Sequence, residues 1–121
     1  MGALAHVVRQ GKALYAGISS YPSRETEQAI RFLEDLGTRC FIHQPSYSIL
    51  NRWIEDGLTD VLRRHGLGCI AFSPLAQGLL TNRYLQGIPD DSRAAKPHGF
   101  LKKERITPEL VDQLKHLNEI A

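Results

Sequence analysis

The chain has 121 residues, 42% of them hydrophobic and 23% charged, and a formal net charge of +2. That is ordinary globular composition. It argues against several classes at once. Lys and Arg are scattered, doubled only at Arg63-Arg64 and Lys102-Lys103, with no basic stripe interleaved with aromatics to suit a nucleic-acid partner. No apolar run approaches the roughly 20 residues of a membrane helix. The first residues, MGALAHVVRQGK, lack the charged start, apolar centre and cleavage site of a signal peptide. Cys40 and Cys69 both lie in apolar runs, so both are expected to be buried, reduced thiols in a cytoplasmic protein.

In chain order, residues 3–10 read as the tail of a helix, with Leu4, Val7 and Val8 on one face and Gly11 as its stop. Ala13–Ile18 is a short apolar run without helical period, the mark of a buried strand. Pro22 and Ser23 open a helix whose apolar positions are Ala29, Ile30, Leu33 and Leu36, ended by Gly37. Cys40–Gln44 is a second strand. Ile54, Leu58, Val61 and Leu62 mark the next helix, closed by Gly66, and Leu67–Phe72 a third strand. After a long polar loop, Thr107-Pro108-Glu109 supplies a cap, a first-turn proline and an acid at the positive helix end. Leu110, Leu114 and Leu117 carry that last helix to the end of the chain.

Alternating strands and helices with short turns imply a parallel sheet with right-handed crossovers. Strand starts near residues 13, 40 and 68 give repeats of 27 and 28 residues. A complete (β/α)8 barrel of ~250 residues allots about 31 to each unit, so this chain holds less than half of one. A small doubly wound sheet has the same period. In either fold, ligands bind beyond the carboxyl ends of the strands. Here those ends carry Ser19-Ser20, then Gln44 with Tyr47-Ser48, then Ser73. No G-x-G-x-x-G loop follows any strand, which counts against a dinucleotide-binding open sheet. The five histidines have no spacing that gathers three metal ligands, and no carboxylate pair sits at the strand ends.

Three motifs carry a family resemblance. Gly11-Lys12-Ala13-Leu14-Tyr15-Ala16-Gly17-Ile18-Ser19-Ser20 resembles the fifth barrel strand of the aldo-keto reductases. His43-Gln44-Pro45-Ser46-Tyr47-Ser48 resembles the sixth. The run from Phe72-Ser73-Pro74-Leu75 to Asn82-Arg83-Tyr84, continuing through Gly87-Ile88-Pro89 to Asp91-Ser92-Arg93, resembles the seventh strand and its loop. The likeness covers essentially the whole chain. It is greatest to the branch holding bacterial L-glyceraldehyde 3-phosphate reductases and the β subunits of voltage-gated potassium channels.

The resemblance implies an α/β fold: a partial TIM (β/α)8 barrel, with residues 1–121 forming part of an NADP-dependent oxidoreductase domain. It implies NADPH as cofactor and a small aldehyde or ketone as substrate, with a homo-oligomer possible for the complete protein. By position, Ser19 and Gln44 would hydrogen-bond the nicotinamide carboxamide, a role that a hydroxyl and an amide can fill together. Ser20 stands where relatives place Asn, Arg or Ser. Phe72 matches the aromatic that stacks on the nicotinamide. Ser73, Leu75 and Gln77 lie where the loop wraps the pyrophosphate, and Arg83 and Arg93 match basic positions near the cofactor phosphates.

The family's catalytic Asp, Tyr, Lys and His come from the second to fourth strands, which would lie upstream of residue 1. Tyr15, Tyr21, Tyr47 and Tyr84 do not match the catalytic tyrosine, and His43 does not match the catalytic histidine. The segment alone is therefore expected to be inactive. It is also expected to present an open inward sheet face that includes Ile18, Ile42, Ile70 and Phe72. Two other functions stand beside the reductase: a cofactor-sensing subunit like the channel relatives, and an inactive gene fragment.

Overall fold

The computed structural model describes residues 1–120. It divides into two compact units, one from Met1 to Pro74 and the other from Leu75 onward.

The first unit alternates helix and strand: α1 (Gly2–Arg9), β1 (Ala16–Ser19), α2 (Ser23–Asp35), β2 (Cys40–Gln44), α3 (Leu58–His65) and β3 (Gly68–Cys69). The sheet order is β1-β2-β3 and both pairings are parallel. Parallel strands joined through helices are the repeating unit of a (β/α)8 barrel, and three strands make part of one. The buried residues of α2 are Thr26, Ala29, Ile30 and Leu33, a stripe at i, i+3, i+4 and i+7. Ala29, Ile30 and Leu33 of that stripe pack with Ala5 of α1, Ala16 and Ile18 of β1, Cys40 of β2 and Val61 of α3 in one core cluster. A second cluster joins Ile54, Leu58 and Leu62, with Tyr47, Trp53 and Leu67 against it.

Two strands and one helix differ from the sequence expectation. β1 begins at Ala16, three residues after Ala13. Its first registered partner is Cys40, where β2 itself starts, so Ala13–Tyr15 have nothing to pair with. Leu14 and Tyr15 are accordingly exposed. Regular β3 is two residues long, although Ile70 N–H and Phe72 N–H still donate to the His43 and Pro45 carbonyls at 3.0 and 2.9 Å. Pro45 has no N–H to return, which interrupts the ladder. The helix expected from Ile54 is divided. Ile54 lies in a 3-10 turn, Trp53–Glu55, and Gly57 at φ 82° reverses the chain before α3 starts.

Register also corrects two residue placements. Ile18 pairs with His43 and both are buried towards the helices, so Ile18 does not belong to the open face. Gly17 pairs with Ile42 and Ser19 with Gln44, and these alternate residues form the other face. Cys69, registered with His43, is exposed, unlike Cys40, so only one of the two thiols is buried as expected.

The second unit consists of short 3-10 turns (Ala76–Gly78, Asn82–Tyr84, Arg93–Ala95 and Lys103–Arg105) followed by α4 (Pro108–Ile120). Leu79, Tyr84, Ala94, Leu101 and Leu114 are its buried apolar residues. The Leu110 N–H donates to Thr107 Oγ1 at 3.3 Å, the cap that the Thr-Pro-Glu motif predicts.

Candidate functional site

The carboxyl ends of the three strands gather the first unit's predicted residues. Ser19 and Gln44 are registered partners at the last positions of β1 and β2. Neighbouring residues of parallel strands leave the sheet on the same face, so a hydroxyl and a primary amide stand side by side there, both exposed. The Ser19 hydroxyl donates to the Gln44 backbone carbonyl at 2.7 Å. Its proton is thereby committed, and its remaining lone pairs are free to accept from outside. The Ser20 N–H donates to the same carbonyl at 3.2 Å.

The backbone at these ends is unusual. Ser20 has φ 59° and Ser73 φ 57°, both in the left-handed region that non-glycine residues seldom occupy. Each immediately follows a strand or its irregular extension, and such conformations persist where surroundings over-determine them. Phe72, just before Ser73, is tied from both sides. Its N–H donates to the Pro45 carbonyl at 2.9 Å, and its carbonyl accepts from the Tyr47 N–H at 3.2 Å. Phe72 is 40% exposed.

The loop after β2 is pinned by polar contacts. Trp53 Nε1 donates to the Ser46 carbonyl at 2.7 Å, and the Tyr47 hydroxyl donates to Glu55 at 2.6 Å. Arg52 binds Glu55 through Nε and an Nη at 2.8 and 2.7 Å. Hydrogen bonds from Arg52 first, then Tyr47, lower the Glu55 carboxyl to a pKa of about 2. Tyr47 is thus engaged with the loop's own carboxylate.

Sequence reasoning passed over one part of this region. His43, fully buried, sets Nε2 3.1 Å from the Tyr21 carbonyl, and Thr26 Oγ1 donates to that same oxygen at 3.0 Å. The available signal was a histidine inside an apolar strand, next to the candidate Gln44. Burial lowers its pKa, partly offset by the bond to Tyr21, so the ring is neutral and Nε2 carries the donated hydrogen.

The second unit holds Leu75, Gln77, Arg83 and Arg93. Ala76, Gln77 and Gly78 have φ of 47°, 63° and 102°, three left-handed residues in succession. Leu80 N–H closes this turn on the Leu75 carbonyl at 3.2 Å. Thr81 follows as a cap, accepting from the Arg83 N–H at 3.3 Å. The Arg83 guanidinium pairs with Asp91 at 2.5 Å and holds that carboxyl below its ordinary range. Arg93 is exposed at the start of its own 3-10 turn. Among the described residues, no helix is long and apolar enough to cross a membrane.

Comparison with known proteins bears on this arrangement. The aldo/keto reductase family profile matches residues 1–121. The chain is 49% identical over 125 aligned positions to proteins named L-glyceraldehyde 3-phosphate reductase from Escherichia coli O157:H7 and K12. A protein from Schizosaccharomyces pombe, named as a voltage-gated potassium channel subunit beta, is 32% identical over 124 positions. Each alignment covers 98% of this chain and 36% of the relative, so the chain spans about a third of their length. With the profile covering its whole length and a parallel β/α sheet, the chain belongs to the aldo/keto reductase family.

Proposed function

We propose that residues 1–121 are part of the NADP-dependent oxidoreductase domain of an aldo-keto reductase that reduces a small aldehyde or ketone to an alcohol. In this reading the segment orients the nicotinamide. One observation carries it: the Ser19 hydroxyl, registered beside Gln44, spends its proton on the Gln44 carbonyl. The pair then offers a hydroxyl acceptor together with an amide donor and acceptor, a set complementary to a primary carboxamide. NADPH, when bound, supplies the hydride; the protein supplies orientation. Ser19 Oγ would accept a carboxamide N–H, and the Gln44 side chain would meet the remaining polar atoms. Phe72, exposed at the end of the third strand, would cover a ring face. In the second unit, Leu75, Gln77, Arg83 and Arg93 are the residues proposed for the pyrophosphate and phosphates. Arg93 is a cation suited to an anionic oxygen, whereas Arg83 would share itself with Asp91. The names of the E. coli relatives support a reading in which the substrate class includes a phosphorylated aldehyde.

The test is cofactor affinity. In the complete protein, Gln44→Ala is expected to weaken NADPH binding by ~1–2 kcal/mol, the loss of a hydrogen bond to a partly buried partner. Fluorescence titration with unchanged affinity would remove Gln44 from the site. The polypeptide by itself is expected to show no aldehyde-dependent NADPH oxidation, because none of its tyrosines matches the family's proton donor.

A further inference from the structure

We propose that His43 and Thr26 are positioning residues: together they clamp the Tyr21 carbonyl and so fix the strained turn that presents Ser19 and Ser20 beside Gln44. The proposal rests on the nicotinamide reading of Ser19 and Gln44 for its functional meaning, but its geometry stands on its own.

The turn from β1 to α2 is gripped at two carbonyls. On one side the Gln44 carbonyl accepts from the Ser19 hydroxyl at 2.7 Å and the Ser20 N–H at 3.2 Å. On the other, the Tyr21 carbonyl accepts from Thr26 Oγ1 at 3.0 Å and His43 Nε2 at 3.1 Å. His43 and Gln44 are adjacent in β2, so one strand holds the turn with two consecutive residues whose side chains leave opposite faces. Ser20 lies between the two grips at φ 59°. A non-glycine residue reaches that region at a cost of about 1–3 kcal/mol and stays there only under constraint from its surroundings.

The donors are built for constraint. Thr26 and His43 are both fully buried, and neither side chain has solvent to turn to. Thr26 occupies a buried position on the core-facing side of α2, where its hydroxyl is satisfied by the Tyr21 carbonyl. His43 Nδ1 is buried without a hydrogen-bond partner among the described residues. Without the clamp, Ser20 relaxes toward negative φ, and the Ser19 hydroxyl loses its fixed relation to Gln44.

The experiment uses the complete protein that contains this segment, and its exchange arm needs no cofactor. Imidazole 15N shifts of the parent are expected to show His43 as the Nε2–H tautomer. Hydrogen exchange resolved to the Ser20 amide is then compared across variants. His43→Leu is expected to speed that exchange by roughly tenfold while Ile30 and Leu33 amides in α2 keep their protection, and His43→Gln, which can still place an N–H near Tyr21, to restore it. Thr26→Val against Thr26→Ser repeats the comparison from the other donor and decides the matter if His43→Leu does not fold. An Nδ1–H tautomer, an unprotected Ser20 amide in the parent, or equal protection in Thr26→Val and parent overturns the clamp. NADPH titration of the parent runs alongside. A protected, clamped turn without NADPH binding counts against the nicotinamide reading alone.

Discussion

Burial of His43 gives the protein a pH dependence of its own. The ring's pKa is lowered from the ordinary 6.5, chiefly because burial disfavours the charged form. The unfolded chain therefore takes up this proton first as the pH falls. Stability contributed by the neutral ring is complete above about pH 6.5 and is lost as the pH drops toward the lowered folded value. Glu55 acts in a separate window, since its contribution is present above 4.5 and lost as the pH falls through about 2. Urea midpoints are thus expected to decline in the parent as the pH falls below about 6.5, and to decline less in His43→Gln. Equal slopes in the two proteins would assign that decline elsewhere. At this scale the sequence reveals residue types better than their commitments. Ser19 and Gln44 stand out in the sequence as polar residues closing apolar strands, whereas Phe72 is singled out only by the family resemblance. That Tyr47 spends its hydroxyl on Glu55, and Arg83 its guanidinium on Asp91, depends on rotamers and loop paths that no local pattern encodes.

Elements with a strong period emerge from the sequence almost unchanged. α2 shows its stripe in the spacing of Ala29, Ile30 and Leu33, and β2 is bounded as expected at Cys40 and Gln44. The misplacements fall where pairing outweighs local preference. Leu14 and Tyr15 look like strand residues, but a strand exists only where a neighbour pairs with it, and the neighbour starts at Cys40. Gly17 shows how tightly β1 and β2 approach. A Cβ there would stand 2.6 Å from Ile42 Cγ2 and 3.1 Å from the Ile42 carbonyl oxygen. Gly17→Ala must therefore displace Ile42 or spread the two strands, at an expected cost of ~1–3 kcal/mol from overpacking. Gly11→Ala makes a useful contrast, because a Cβ there meets nothing within 4 Å and only the φ of 69° is strained. Denaturant unfolding in which Gly17→Ala matches the parent would show that the sheet has more slack than its register implies.

At the scale of the whole molecule, the first unit's sheet has three strands and no closure. A closed barrel has no edges, whereas here the outer sides of β1 and β3 each leave a row of strand donors and acceptors without a strand neighbour. The face opposite the helices adds apolar area, with Ile70 48% and Phe72 40% exposed beside Ile42. In a full barrel that face packs against layers of side chains from the other strands. An exposed, partly apolar sheet with two free edges is a template for strand addition by another chain. The 121-residue polypeptide is therefore expected to self-associate through its sheet while keeping the local β/α packing of Ile30, Leu33 and Val61. Sedimentation velocity at several concentrations measures this directly. Association should rise with concentration, and a charged substitution on the open face, such as Ile70→Lys, should reduce it without changing the helical content seen by circular dichroism. A monodisperse monomer with a sharp, cooperative thermal transition would show that three strands and their helices suffice for an independent fold, and the edge argument would fail.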